Sequence, residues 1–391
     1  MTAAEDARWM ERAVQLGRRG WGRVHPNPAV GCVLVRNGAV VGEGWHREWG
    51  GPHAEVEAIR NAGEAAPGAT AYVSLEPCRH EGKTPPCTLA LQRAGVRRVV
   101  FGASDPGAAS GGGGEVLRSL GMEVSGPMLS EEEANRENPV FFHRDPDRPW
   151  TVLKLAVSLD GALAAGAGER TPLTGEEANQ AVHHLRAGVE GILIGTRTAQ
   201  VDDPLLTVRG PVVPRVPPVR VVVDLAGRLS PELRMLREGD APVWIVTGEG
   251  SSKGWRRQME GAGARVLPLS GDPDRGASGA RQLLGRLRAE GLSSLLCEGG
   301  GRLAGSLLHG GGVDRLIHIW VPRVLGGGGV PAFFPTGGNG EISPTWRAGP
   351  LRRWGGDLWV EWDRALSPAS PVFSHLPPEG EAGCSRESSR L

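Results

Sequence analysis

The stretch PHAEVEAIRNAG (52–63) places His53 two residues ahead of Glu55. Further along, EPCRHEGKTPPC (76–87) supplies Cys78 and Cys87, each preceded by proline. Imidazole and thiolate are borderline-soft ligands that together suit zinc. Three such ligands leave the fourth tetrahedral position to water, as a catalytic metal requires. His53 and Cys87 both stand at predicted helix starts, where free backbone N–H groups and the helix dipole favour a thiolate. Glu55 can then reach the bound water without ligating the metal and carry its proton. Other readings exist for each residue alone. His53 can be a surface or core histidine, and the two cysteines can be unrelated buried thiols. His80 can serve as a fourth ligand and close the site. The pattern taken as a whole favours the open, catalytic site.

These residues need elements to hold them. Trp9, Ala13 and Leu16 recur at helical spacing within 3–19, and GRRG ends that segment. AVGCVLV (29–35) and AVVGEGW (39–45), joined across Asn37-Gly38, read as a β-hairpin. A helix follows from His53 to Ala62, then a buried strand ATAYVSL (69–75). A helix from Cys87 to Ala94 is opened by Pro85-Pro86, and RRVVFG (97–102) is another strand. The alternation predicts an α/β layer. A helix over Glu131–Asn138 precedes the polar, proline-bearing HRDPDRP (143–149), where the domain boundary is expected.

A second α/β run follows. Strands are expected over 150–161, 191–195, 219–224, 242–248, 294–300 and 314–321, with helices over 176–187 and 279–290. SPASPVFSHLPPEGEAGCSRESSRL has no periodicity and is expected to be a disordered tail, 366–391. The expected domains are 1–146 and 147–365.

With 391 residues, of which 39% are apolar, the chain can fill two ordinary cores. Lys+Arg and Asp+Glu are both 44. That balance provides no field for a polyanion or an anionic membrane surface, so neither nucleic acid nor membrane is an expected partner. The five scattered cysteines form no readable disulfide framework. The start, MTAAEDARWMERAV, has no apolar stretch of a signal peptide, and no apolar run approaches a membrane span. A cytoplasmic location is expected.

H-x-E followed by P-C and a second Cys is the pattern of the zinc deaminases. The gap from Cys78 to Cys87 is wider than the C-x-x-C of ordinary cytidine or tRNA-adenosine deaminases. HPNPAVGCVLV, GEGWH, PHAEVEA, YVSLEPCRHEGKTPPC, LKLAVSLDG, GTRTAQVDDPLLTVR and CEGGGRLAGSLL resemble the bifunctional deaminase–reductase of riboflavin biosynthesis, the RibD type, over roughly residues 7–330. The resemblance implies an N-terminal cytidine-deaminase-like three-layer α/β/α domain. This domain would remove the 2-amino group of a diaminopyrimidinone ribosyl phosphate. It also implies a C-terminal dihydrofolate-reductase-like α/β domain that reduces the ribosyl to a ribityl chain with NADPH.

In the first half the resemblance implies that Asn27 hydrogen-bonds the pyrimidine. His46, Lys83 and Asp105 would line the same pocket, with Lys83 on the phosphate. In the second half, EGGGRLAGSLL (298–308) runs from a strand through glycines into a helix, whose bare N–H groups suit a phosphate. By resemblance, Gly300, Gly301, Arg302, Leu303, Ala304, Gly305 and Ser306 would hold the cofactor pyrophosphate, and Ala156, Thr198 and Asp202 would also touch the cofactor. Arg186 and Arg209 would grip the substrate phosphate, where the guanidinium fork is suited. Lys154 and Glu298 would lie near the sugar, with Arg170 and Leu206 also lining the substrate site. A homodimer or homotetramer is the implied assembly.

The match has departures. RTPLT (170–174) puts Arg170 where a serine and Pro172 where a tryptophan are usual, and Gly107, Gly113 and Arg197 also differ from the usual residues. A second reading therefore keeps the deaminase and treats the reductase-like half as a degraded scaffold. A third, a deaminase fold acting on RNA, conflicts with the zero net charge and the attached second domain.

Overall fold

The computed structural model describes residues 2–81, 85–143, 145–270, 276–333 and 345–365. The expected tail, 366–391, and Lys83 lie outside them. Two β-sheets organise the chain, one on either side of 143–149.

The first sheet contains β1 (Gly31–Arg36), β2 (Ala39–Trp45), β3 (Thr70–Leu75), β4 (Arg98–Ala103) and β5 (Glu123–Ser125), in the order β2-β1-β3-β4-β5. The β1–β2 hairpin turns on Asn37 and Gly38, both at positive φ (51° and 75°), the backbone that Asn-Gly tolerates best. β1 is antiparallel to both neighbours, whereas β3, β4 and β5 run parallel. Alternation along the strands divides the side chains between two faces. Val33, Val35, Tyr72 and Val100 meet α1 (Ala3–Gly17) through Met10, Ala13 and Leu16. Cys32, Leu34, Ala71, Val73 and Val99 meet α2 (Ala54–Ala62), α3 (Cys87–Arg93) and α4 (Gly113–Ser119) on the other face. The result is a three-layer α/β/α unit, completed by α5 (Glu131–Glu137) and α6 (Pro139–Phe142).

Two polar devices fix α1. Thr2 and Glu5 form a reciprocal capping box. Asp6 accepts both Arg98 guanidinium nitrogens, at 2.9 and 2.8 Å, and the hydroxyl of Tyr72, the only tyrosine, at 2.6 Å. The Arg98 hydrogen bonds hold the Asp6 carboxyl below its usual range.

The second sheet has nine strands. They are β6 (Trp150–Val157), β8 (Gly191–Gly195), β9 (Val219–Val223), β10 (Val243–Gly248), β11 (Ala264–Leu269), β12 (Ser294–Cys297), β13 (Arg315–Trp320), β15 (Trp346–Trp354) and β16 (Asp357–Arg364). Their order is β11-β10-β9-β8-β12-β6-β13-β16-β15, parallel from β11 to β13 and antiparallel thereafter. β7 (Ala162–Ala164) and β14 (Val330–Pro331) form a small separate ribbon. α7 (Glu176–Ala187), α8 (Thr196–Asp202), α9 (Arg234–Arg237), α10 (Lys253–Gly261), α11 (Gly276–Ala289) and α12 (Gly301–His309) are the helices of this half. Leu153, Leu155 and Val157 fill one face's core and Trp150 and Val152 the other, as the pleat requires.

The expected strands and helices occur, with shifted ends. The strand expected over 150–161 stops at Val157, because the chain turns through Gly161 at φ 80°. Some helices and strands carry weaker signals: α4 begins inside a glycine run, and β15 contains a Gly-Pro pair. α8, α10, β11 and β16 also lie outside the sequence-based expectations. Among the described residues, no helix is long and apolar enough to cross a membrane.

β2 is the floor under α2. A Cβ at Gly44 would lie 2.4 Å from Ala54 O and 2.4 Å from Ala58 N, both helix backbone. Gly44→Ala must therefore lift the helix that carries Glu55. Chemical denaturation of the variant should show a loss of about 1–3 kcal/mol, the usual range for overpacking.

Candidate active sites

The first site lies where β3 and β4 end. β3 delivers Glu76, Pro77 and Cys78, and β4 leads to Asp105. His53 is the N-cap of α2, with extended backbone (φ −73°, ψ 162°), yet its side chain makes no capping bond. The ring turns instead toward the cysteines, with Nδ1 3.2 Å from Cys87 Sγ and 3.6 Å from Cys78 Sγ. One ligand atom from each of the three residues lies within 4.8 Å of the others. Zinc–nitrogen and zinc–sulfur bonds of ordinary length at a tetrahedral angle imply an N···S edge of about 3.5 Å. The observed pair of distances straddles that value, so the donor set fits zinc. His80 is exposed and outside the trio, which leaves three protein ligands among the described residues.

Local structure tunes the sulfurs. Pro86 starts α3 without a side-chain cap, and the Cys87 N–H donates to Cys78 Sγ at 3.4 Å. Hydrogen bonds from the Cys87 thiol and from His53 bring Cys78 down to about 4, against the effect of its burial. The Cys87 thiol is pushed up, because it hands its proton toward Cys78 and is itself buried. The hydrogen bond to Cys78 raises His53 in turn. A free trio thus gives up its first proton readily and resists losing the next, which a divalent cation would displace.

Glu55 is 3% exposed, in the first turn of α2, and burial raises its pKa. His46 is buried with Nδ1 2.9 Å from Pro52 O and Nε2 3.1 Å from Asn27 Nδ2. Burial lowers its pKa, so the ring is neutral. Pro52 O can only accept, which places the proton on Nδ1 and leaves Nε2 to accept from the Asn27 amide. The Asn27 carbonyl is then the side-chain group left to receive a donor from a ligand. Asn27, His46, His53, Glu55, Cys78 and Asp105 line one cavity of about 330 Å³.

Glu76 and Trp49 belong to this wall without a sequence-based expectation. Glu76 accepts the backbone N–H groups of Asp105, Gly112 and Gly114, at 3.1, 3.3 and 2.9 Å, and so pins the glycine loop beside Asp105. Trp49 forms part of the wall as well. The glutamate before Pro-Cys was visible in EPC, but its three partners lie far along the chain.

The second site opens at the ends of β6, β8, β9 and β12, above a cavity of about 1320 Å³. Lys154, Ala156, Arg170, Arg186, Thr198 and Asp202 line it, as do Leu206, Arg209, Glu298, Gly300, Gly301, Arg302 and Leu303. Gly300 is the N-cap of α12, and its N–H donates to Thr198 Oγ1 at 3.2 Å. A Cβ at Gly299 would lie 2.8 Å from a Leu303 methyl and 3.1 Å from Gly195 N, so the glycine lets α12 approach β8. The cradle is shorter than expected. Ala304, Gly305 and Ser306 are buried and do not line the cavity, and the Ala304 N–H already bonds Gly300 O. Only the first turn of a helix offers free N–H groups.

Arg186 is also placed differently from its expectation as a phosphate ligand. It forks onto Glu298 at 2.6 and 3.0 Å and donates to Thr207 O at 3.0 Å. Lys154 Nζ lies 3.9 Å from the same carboxylate. Burial alone would raise Glu298, but Arg186 and Lys154 overcome it and hold the carboxyl at about 2. Burial lowers Lys154, with Glu298 opposing. Arg209 is exposed, and its backbone N–H donates to His183 Nδ1 at 3.1 Å. His183, another residue without a sequence-based expectation, is depressed to about 4 by burial and the nearby arginines. Arg170 faces Asp202 closely enough to counter the upward shift that burial gives that carboxyl. Pro172 O receives Arg323 at 2.7 Å, and Gly175 N donates to the buried Asp357 at 2.7 Å, so RTPLT is anchored at its middle and just beyond its end.

Residues 3–103 match the cytidine and deoxycytidylate deaminase zinc-binding region, and residues 149–359 match the RibD C-terminal domain. Fold and sites together define a bifunctional enzyme, a deaminase and a reductase in one chain. The riboflavin biosynthesis protein RibD of Escherichia coli is 40% identical over 336 residues, covering 82% of this chain and 89% of its own. The chain belongs to the RibD family of riboflavin biosynthesis proteins. RibD of Aquifex aeolicus is 37% identical over 324 residues, 83% of this chain and 88% of that protein. Among solved structures, Acinetobacter baumannii RibD has a TM-score of 0.75 at 32% identity, and covers 93% of this chain and 99% of its own. The Thermotoga maritima diaminohydroxyphosphoribosylaminopyrimidine deaminase/5-amino-6-(5-phosphoribosylamino)uracil reductase has a TM-score of 0.76 at 31% identity and the same coverage. The degraded-scaffold reading is not favoured: the reductase half has a large cavity with its charged residues assembled.

Purified protein should carry one zinc per chain by elemental analysis, and His53→Ala or Cys87→Ala should lose it. The Glu298 pair gives a pH test. Its folded pKa, about 2, lies below the ordinary 4.5, so its stabilisation is complete above about 4.5 and is lost as pH falls toward 2. Over that window the thermal midpoint of the wild type should fall more steeply than that of Glu298→Gln.

Proposed function

We propose that the first site deaminates 2,5-diamino-6-ribosylamino-4(3H)-pyrimidinone 5′-phosphate, and that the second reduces the ribosyl chain of the product to give 5-amino-6-ribitylamino-uracil 5′-phosphate. The observation that carries the reading is the trio His53, Cys78 and Cys87 sharing one cavity with a buried carboxyl and an oriented amide. The relatives' names support the choice of substrate.

His53, Cys78 and Cys87 would hold zinc, which would supply Lewis-acid activation of the attacking water. Glu55 takes one water proton as the amine-bearing ring carbon is attacked and passes it to the ring nitrogen; it then takes the remaining hydroxyl proton as the carbonyl forms and delivers it to the departing ammonia. Burial raises its pKa toward the range where taking and returning a proton both remain easy. Asn27 offers its carbonyl to a pyrimidine N–H, with His46 fixing the amide. Asp105 lies on the same wall, and Lys83, outside the described residues, is assigned to the phosphate.

In the second site, Gly300–Leu303 and Thr198, with Ala156 and Asp202 beside them, would hold NADPH, which would supply the hydride. Lys154 and Glu298 face the sugar, and Arg186 holds the Glu298 carboxylate in place. The phosphate grip falls to the exposed Arg209, because Arg186 is spent on its fork. A cytoplasmic, homo-oligomeric enzyme acting on small nucleotide-like molecules fits these roles.

The test follows ammonia and NADPH together, using the diaminopyrimidinone nucleotide. Wild type should release ammonia and then oxidise NADPH. Glu55→Gln should keep its zinc and lose deamination by roughly 10²–10⁴-fold, the usual contribution of general acid–base catalysis, while still reducing substrate deaminated beforehand. Near-normal ammonia release from Glu55→Gln would remove Glu55 from the proton path. Absence of NADPH oxidation by wild type given deaminated substrate would revive the scaffold reading.

A further inference from the structure

The deaminase cavity is not walled by its own half alone. Trp49, on its rim, lies under the Arg215 guanidinium of the reductase half, with Cζ 4.9 Å from the ring centroid. Arg215 also donates from Nη2 to His25 O at 3.1 Å, and its backbone N–H donates to Gly22 O at 2.9 Å. One side chain from the segment after Arg209 therefore holds both the loop that ends in Asn27 and the tryptophan facing it.

The same loop is anchored elsewhere on the reductase half. The Trp21 indole N–H donates to His184 O at 2.7 Å, and its ring stacks on His184 with centroids 5.9 Å apart. A Cβ at Gly188 would sit 2.0 Å from Trp21 ring atoms, so α7 must end in glycine for the ring to fit. His25 Nε2 meets Glu190 at 2.6 Å. Downstream the path is short: Asn27 N bonds Val24 O at 2.9 Å, Trp49 N bonds Arg23 O at 3.1 Å, and Asn27 Nδ2 meets His46.

We infer that Arg215 is a positioning residue for deamination: it sets the distance between Trp49 and the Asn27 loop, and through them the shape of the pyrimidine end of the cavity. The inference rests on the deaminase reading of that cavity. Because Arg215 touches neither the metal-ligand trio nor Glu55, its loss should weaken substrate binding and leave the chemical step intact. The reductase cavity does not include it.

The experiment compares zinc-loaded wild type, Arg215→Ala and Arg215→Lys as full chains. Arg215→Ala should raise the deamination KM roughly three- to tenfold, the effect of one exposed cation–π contact and a hydrogen bond. Deamination kcat, zinc content and reductase kinetics should stay unchanged. Arg215→Lys keeps a cation over the ring and should recover part of the loss. Amide hydrogen exchange of 22–28 and 46–52 should quicken in Arg215→Ala. An unchanged KM with unchanged exchange overturns the inference. So does a parallel fall of deaminase kcat, zinc content and reductase activity, which marks general destabilisation. Wild type that releases no ammonia overturns the deaminase reading instead, and the exchange rates still decide whether Arg215 holds the loop.

Discussion

The deaminase half depends on a histidine that occupies a helix N-cap and does not cap. A Ser, Asp or Asn there would satisfy a free N–H of α2 and gain about 1 kcal/mol. His53 forgoes that bond and turns its ring to two sulfurs. The helix is held by other means: Gly42 and Gly44 let it lie directly on β2, and Ala54, Ala58 and Ala62 fill the layer beneath. The small residues make contact close enough that Glu55, in the first turn, is buried beside the trio. A carboxyl in that position is raised toward the range useful for moving protons. Packing at the base of the helix and chemistry at its tip are therefore one constraint.

The reductase half meets a different difficulty, a carboxylate buried at the end of a parallel strand. Glu298 follows β12 into the glycine turn, where it is largely buried at the cavity wall. A lone charge there would protonate. The forked bond from Arg186 and the nearby Lys154 keep it ionised, while burial depresses the lysine against the pull of the carboxylate. The arginine that the resemblance assigns to a phosphate thus braces this carboxylate at the cavity wall. The departures at 170–174 are absorbed in a similar way. Arg323 and Asp357 hold the backbone there, at Pro172 and Gly175.

The loop from Trp21 to Asn27 joins the two halves. It presents ring, imidazole and carbonyls to α7 and to Arg215, and an amide to the deaminase cavity. The contacts it makes are mostly polar, as those between domains of one chain commonly are. Their placement next to a ligand-facing residue gives the second domain a hold on the first site without lending it a reacting group.

Much of this was legible from residue order alone. Spacing and type exposed the zinc trio and Glu55, since ligand chemistry is a property of the side chains and both helix starts were marked by proline or by the H-x-E step. Period-two and helical patterns located the α/β runs, because burial on a pleat or a helix face leaves a local trace. Helices and strands in glycine-rich or proline-broken stretches, such as α4 and β15, left no such trace and formed through long-range packing. Partners were decided only in three dimensions. Glu76 with the 105–114 loop, Arg186 with Glu298, and Arg215 with Trp49 join positions far apart in the chain. Whether an arginine grips a phosphate or a carboxylate depends on which strand end lies beside it, and no local pattern carries that.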